Sequence, residues 1–178
     1  MGVVSTKLTH DIAYIAVFAA LIIALAFFAI PAAAGIPIVL QNAAIIMAGL
    51  ILGGRRGFLA SLLFLGIGML GIPVLPGGRA TLTALAGPSI GYLIGYLLSP
   101  LAAGAIAYTK RCSLLVLAVA GLVGLAVQYA CGAVGLMARG GLSLGAAVAA
   151  QGAFLVPDLI KIAVIVVAAR AVHQAFRL

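Results

Sequence analysis

"FLVPDLIKIAVIVV", residues 154–167, places an aspartate and a lysine inside a run that otherwise reads as hydrocarbon. The 178-residue chain has only two acidic residues, so Asp158 is half of its anionic inventory. A charge at the centre of a membrane helix costs ~2.5–3.5 kcal/mol on insertion scales. Asp158 and Lys161 stand three apart, on one helical face, where they can partly pair. Pairing softens the cost without explaining the charges, because two leucines there pack more cheaply. A salt bridge joining helices is the plainer account. An ionisable pair at membrane depth points instead to a functional site.

The surrounding chain makes the bilayer the solvent. Hydrophobic residues are 66% of the sequence and charged residues 7%, with a mean hydropathy of +1.39. Ordinary globular domains are about 45–50% apolar and about 25% charged. A chain of this length has too little interior to hide that much apolar surface, so it belongs in a membrane. The net charge of +8 comes from basic residues set in short gaps between apolar runs. They form no basic stripe and no aromatic platform, so the positive-inside bias explains the sign and nucleic acid is not an expected partner. Cys112 and Cys131 lack metal-ligand spacing and read as small buried hydrophobes.

Two N-terminal patterns imitate targeting signals. Residues Met1 to Thr6 fit an N-myristoylation pattern, which a multi-span protein does not need. Lys7, the apolar run Ile12–Ile30 and Ala32-Ala33-Ala34 resemble a signal peptide, but the run exceeds the usual ~7–15-residue core. A retained first helix is expected.

The breaks divide the chain into six apolar segments, at about 12–30, 38–52, 58–70, 88–108, 114–137 and 150–171. Pro31, Gly53-Gly54-Arg55-Arg56, "GIPVLPGGR" and Lys110-Arg111 supply the main stops. The expected fold class is an all-α membrane protein with six transmembrane helices, forming a single integral membrane domain over residues 1–178. With a cytoplasmic N-terminus, Lys7, Arg55, Arg56, Lys110, Arg111, Arg170 and Arg177 fall inside, and only Arg79 and Arg139 fall outside. That imbalance puts both termini in the cytoplasm. On the outer side, Pro31–Pro37 reads as a tight uncharged turn. Gly71–Pro88, between helices 3 and 4, is too broken for a span and too apolar for a solvent loop. Non-helical backbone at such depth must be buried by protein or line a cavity, so a partly inserted outer loop is expected there.

Several short motifs have plain readings. "GIGMLG", Gly66–Gly71, fits G-x-G-x-x-G but ends an apolar helix instead of opening one, so helix packing is the better account. "GGRATLT" lacks the G-K-[ST] of a P-loop. The four-residue spacings Gly49/Gly53 and Gly91/Gly95 suit close internal helix packing. Ala16, Ala20 and Ala24 line one face of the first helix, which serves either internal packing or a partner helix.

The sixth helix descends from outside, which puts Asp158 and Lys161 in its outer half beneath the Gly71–Pro88 loop. Pro157 withdraws an N–H one position earlier and loosens the helix. Gln41 and Asn42, Arg79 and Thr83 from the loop, and Tyr92 early in helix four share that depth. An apolar cleft with a few placed donors and acceptors is a small-molecule site. There is no nucleophile–base arrangement and no metal cluster in the pattern. A binding pocket is expected, with no catalytic residue, no metal and no cofactor.

"IPIVLQNAAIIMAGLILGGRRG", "GGRATLTALAGPSIGYLIGYLLSPLAA" and "PDLIK", in this order, resemble the BioY family, the biotin-specific S components of energy-coupling-factor (ECF) transporters. The resemblance runs from about Ala13 to Ala171. Two departures are Val39, where the family often has threonine before Leu-Gln, and Ser89-Ile90 in place of a common Thr-Gly. The resemblance implies a six-helix fold in a prokaryotic plasma membrane and capture of biotin from outside. It also implies delivery to a transmembrane T component with two ATP-binding-cassette ATPases, so that ATP hydrolysis resides in partners. It casts Ala16, Ala20 and Ala24 as the face that docks the T component, and Asp158 and Lys161 as biotin ligands. One helical turn rises only about 5.4 Å, less than the separation of biotin's polar ends, so both residues are expected to serve a single polar end, for which the ureido ring is the candidate. Arg79 is the candidate for the carboxylate. Other readings are an S component for a different vitamin, a stand-alone proton-coupled carrier using Asp158 as a relay, and a scaffold without a ligand.

Overall fold

A computed structural model describes residues 2–30, 38–108 and 113–176. The expected Pro31–Pro37 turn, Cys112, and the contributions of Lys110, Arg111 and Arg177 to the charge count lie outside the described residues. Among the described residues seven helices carry the fold: α1 (Gly2–Ala26), α2 (Gln41–Leu52), α3 (Gly54–Met69), α4 (Thr81–Leu85), α5 (Ile90–Ala107), α6 (Leu114–Gly140) and α7 (Leu144–Phe176). Strands β1 (Ala29–Ile30) and β2 (Ile38–Val39) pair antiparallel.

Local chemistry sets these boundaries. The first helix ends at Ala26, earlier than expected, and Ile30 is extended, as suits a residue before proline. It also begins at Gly2, because nothing in the polar turns around Lys7 and His10 interrupts the backbone ladder. Gly53, at φ +84°, is the entire junction between α2 and α3. Such a conformation favours glycine. Ser113 caps α6 by accepting from Val116 N at 3.2 Å, and Gly141, at φ +66°, closes it. Ser143 accepts from Ala146 N at the start of α7, which then runs unbroken through Pro157. The broken stretch 71–88 contains one short helix, α4, between two loops.

Among the described residues four helices, α1, α5, α6 and α7, are long and apolar enough to cross a bilayer. α2, with 12 residues, and α3, with 16, are shorter than a full span. Many large side chains point outward, among them Leu115, Val134, Val156 and Ile160, each more than 60% exposed. Soluble monomers seldom expose contiguous apolar patches beyond a few hundred Å², whereas a bilayer solvates them.

Glycines bring the inner helices together. A Cβ on Gly49 would lie 2.6 Å from the Pro100 carbonyl oxygen, and one on Gly95 would lie 2.9 Å from Gln128 Cα. Gly91 meets the backbone of Cys131 and Gly135, and Gly68, from the "GIGMLG" run, faces Thr81 and Val74. The small-residue spacings on α2 and α5 therefore serve internal packing. A core of Ile46, Leu50, Leu117, Ile162 and Val166 fills the space between α2, α6 and α7.

Polar contacts tie one end of the bundle. Arg56 pairs with Asp11 at 2.7 Å, joining α3 to α1. His173 Nε2 donates to the Leu50 carbonyl at 2.8 Å, Tyr108 donates to the Ile51 carbonyl, and the two rings meet edge to face. These carbonyls belong to the last turn of α2, where no intrahelical partner exists. Lys7, Arg55, Arg56 and Arg170 cluster toward this end, and Arg79 and Arg139 lie toward the other.

Candidate functional site

The site occupies the opposite end, where the start of α2 and the middle of α6 and α7 meet. Asp158 is buried, with its side chain 4% exposed, and pairs with Lys161, whose side chain is 11% exposed. Lys161 Nζ also donates to the Val39 carbonyl at 2.8 Å and to Asn42 Oδ1 at 2.9 Å. The Tyr129 hydroxyl donates to Asp158 Oδ2 at 2.7 Å. Next to it on α6, Gln128 Nε2 donates to the Asn42 carbonyl at 3.2 Å and to Ser99 Oγ at 3.0 Å. The contacts close a ring: Tyr129 to Asp158, Asp158 to Lys161, Lys161 to Asn42, Asn42 to Gln128, and back along the α6 backbone.

This ring borders a cavity of about 350 Å³. That is at the small end of the range for small-molecule pockets. Tyr92, Leu93, Tyr96 and Phe154 give it apolar and aromatic walls. Gly132 on α6 has no side chain because the Tyr92 ring fills that space. Leu75, Pro76, Gly77 and Arg79 from the loop before α4 complete the lining. That loop is a tight turn in which Leu75 N donates to Arg79 O at 2.9 Å, with Gly77 and Gly78 at positive φ. Arg79 is exposed, and its Nε donates to the Pro76 carbonyl at 3.4 Å. A second cleft of about 440 Å³, between α1, α2 and α7, is lined by apolar residues such as Leu25, Met47 and Ile160, together with Lys161. It lacks the convergent polar groups of the first.

Five of the seven sequence-derived ligand candidates, Asp158, Lys161, Asn42, Arg79 and Tyr92, line the cavity. Gln41 and Thr83 are not among its lining residues. Gln41 is fully buried and donates to the Ile22 carbonyl at 3.3 Å and the Val74 carbonyl at 2.8 Å, pinning the root of the loop to α1 and α2. Thr83 is exposed, and its hydroxyl donates to the Ala80 carbonyl at 2.7 Å. A shared depth is not a shared face, and neighbours on a helix such as Gln41 and Asn42 diverge by about 100°. Sequence reasoning missed Gln128, Tyr129, Tyr96 and Phe154. The signal for the first two was present, because "VQYAC" sets two polar side chains in the middle of an apolar helix. Ala16, Ala20 and Ala24 are all exposed along α1.

The chain matches the family model described as the BioY family over residues 2–178. It is 39% identical to the biotin transporter BioY of Rhodobacter capsulatus, over 93% of this chain and 94% of that protein. It is 33% identical to the biotin transporter BioY of Rhizobium etli, over 96% of each. Its fold superposes with a TM-score of 0.85 on the crystal structure of the S-component for biotin from an ECF-type ABC transporter. That alignment has 30% identity and covers 95% of this chain and 93% of the other.

Proposed function

The chain belongs to the BioY family, and on that premise we propose that it is the S component of an ECF-type transporter for biotin, a non-enzymatic membrane subunit that captures the vitamin. The observation that carries this reading is the buried Asp158–Lys161 pair beside a cavity with aromatic walls.

The chemistry fits the two ends of the ligand. A ureido ring offers two N–H donors and one carbonyl. An ionised carboxylate has about four lone-pair sites. Lys161 and Tyr129 each engage one oxygen of Asp158, which leaves capacity for ureido N–H groups in charge-assisted bonds. Tyr92, Tyr96 and Phe154 suit the apolar bicycle and chain. Arg79, exposed at the loop, suits the carboxylate, since one helical turn of about 5.4 Å is too short for Asp158 and Lys161 to serve both ends.

The chain is a multi-pass membrane protein. In our reading it crosses a prokaryotic plasma membrane six times, with α2 and α3 as short spans and both termini in the cytoplasm. The clustering of Lys7, Arg55, Arg56 and Arg170 at the end away from the cavity supports that orientation. The cavity then opens outward, beneath the partly inserted 71–88 loop. Partners are a transmembrane T component and two ATPases. The exposed Ala16, Ala20 and Ala24 face allows the close backbone approach that such docking requires.

The test is a thermal-stability titration of the purified protein with biotin. Ligand at a hundredfold excess over Kd stabilises the folded state by about 2.7 kcal/mol. Protection by a different vitamin, and none by biotin, overturns the ligand assignment. Uptake that persists without any ATPase partner makes the chain a stand-alone carrier.

A further inference from the structure

Asp158 has two carboxylate oxygens, and they are held from different directions. Lys161 engages Oδ1 from the same helix, three residues on. Tyr129 engages Oδ2 at 2.7 Å from the neighbouring helix α6. The first contact relates the carboxylate to α7 and, through the bonds of Lys161, to the start of α2, but not to the α6 wall of the cavity. The second does. Its neighbour Gln128 is 2% exposed and bonds the Asn42 carbonyl and Ser99 Oγ, so the part of α6 that presents Tyr129 is itself tied to α2 and α5. Lys161 returns the connection to α2 through Val39 and Asn42.

We infer that Tyr129 is a positioning residue for ligand capture: its hydroxyl orients the Asp158 carboxylate toward the cavity and makes α6 part of the ligand site. The inference rests on the biotin-binding reading and adds to it the residue that sets the geometry of its main acceptor. An unconstrained carboxylate rotates about its two side-chain torsions and must be ordered when the ligand arrives, which weakens binding. In a dry site a charge-assisted bond from a fixed hydroxyl removes that freedom beforehand.

The experiment is a double-mutant cycle on biotin affinity in detergent, with Tyr129→Phe, Asp158→Asn and the double variant. Phenylalanine keeps the ring and deletes only the hydroxyl. Tyr129→Phe should weaken biotin binding roughly tenfold, with the thermal midpoint of the ligand-free protein little changed. On the Asp158→Asn background the same change should have a clearly smaller further effect, because the amide keeps an acceptor but the charged one that Tyr129 orients is gone. Biotin amide, which keeps the ureido ring and loses the carboxylate charge, should suffer the same fold-loss as biotin. Wild-type protein without biotin affinity overturns the functional reading. Wild-type affinity shared by Tyr129→Phe overturns only this inference. An equal further loss on the Asp158→Asn background, or a Tyr129→Phe protein that does not fold, assigns Tyr129 to packing and overturns it as well.

Discussion

Lys161 Nζ donates to Asn42 Oδ1 at 2.9 Å, joining α7 to the start of α2 across 119 positions of sequence. The same ammonium reaches the Val39 carbonyl and Asp158, so its three donors all have partners within the protein. This lysine is both the counter-ion of the buried carboxylate and a cross-brace between two helices that wall the cavity. The two roles give its replacements distinct signatures.

Asp158→Asn keeps shape and an acceptor but loses charge-assisted bonds, roughly 1.5–3 kcal/mol. Biotin affinity should fall about tenfold to hundredfold. Lys161→Met should lose a similar amount and also lower the thermal midpoint, since it leaves Asp158 without its counter-ion and Val39 O and Asn42 Oδ1 without a donor. The double variant should insert and fold, having shed two costly charges, and still fail to capture biotin. Titration of the three proteins decides this. Normal affinity in the double variant would reduce the pair to a structural salt bridge.

The alanine face of α1 predicts a separation of binding from transport. Ala16→Leu with Ala20→Trp should leave biotin affinity intact, because both positions are exposed and neither lines the cavity. Recovery of the complex with the T component and biotin uptake should both drop, since bulky side chains hold helix backbones apart. Co-purification and uptake assays read the two effects. Lost binding with an intact complex would show that this face supports the ligand site instead.

At the other end of the bundle, His173→Leu removes the donor to the buried Leu50 carbonyl. Leaving such a group unsatisfied costs about 1–3 kcal/mol. The thermal midpoint should fall while biotin affinity stays near wild type, because Leu50 and His173 lie at the end away from the cavity. A matched loss of affinity would mean that the two ends are coupled.

Orientation is checked by single cysteines near Arg55 and near Arg139, probed in intact cells with an impermeant thiol reagent. The Arg139 position should label and the Arg55 position should be protected. The opposite pattern inverts the topology.

Composition and hydropathy by themselves determined that the chain lives in a bilayer and is helical, because no other solvent accepts so much apolar surface and backbone groups in lipid must be satisfied locally. The Asp158–Lys161 pair was legible for the same reason: a charge that is expensive to bury stands out against hydrocarbon. Proline and glycine fixed the approximate breaks, though not that α1 would stop at Ala26 or that α7 would run through Pro157 from Leu144 to Phe176. Only the tertiary structure decided which polar residues share a face. Gln41 and Asn42 are adjacent in sequence, yet one pins the loop root at Val74 while the other receives Lys161. Tyr129 and Asp158 are 29 positions apart, on different helices, and meet at 2.7 Å. Periodicity within one helix gives the rotation of its own side chains and leaves open how a neighbouring helix is turned toward it. That rotation is set by packing, here by glycines such as Gly95 that bring α5 against α6, and it appears only once the helices are assembled.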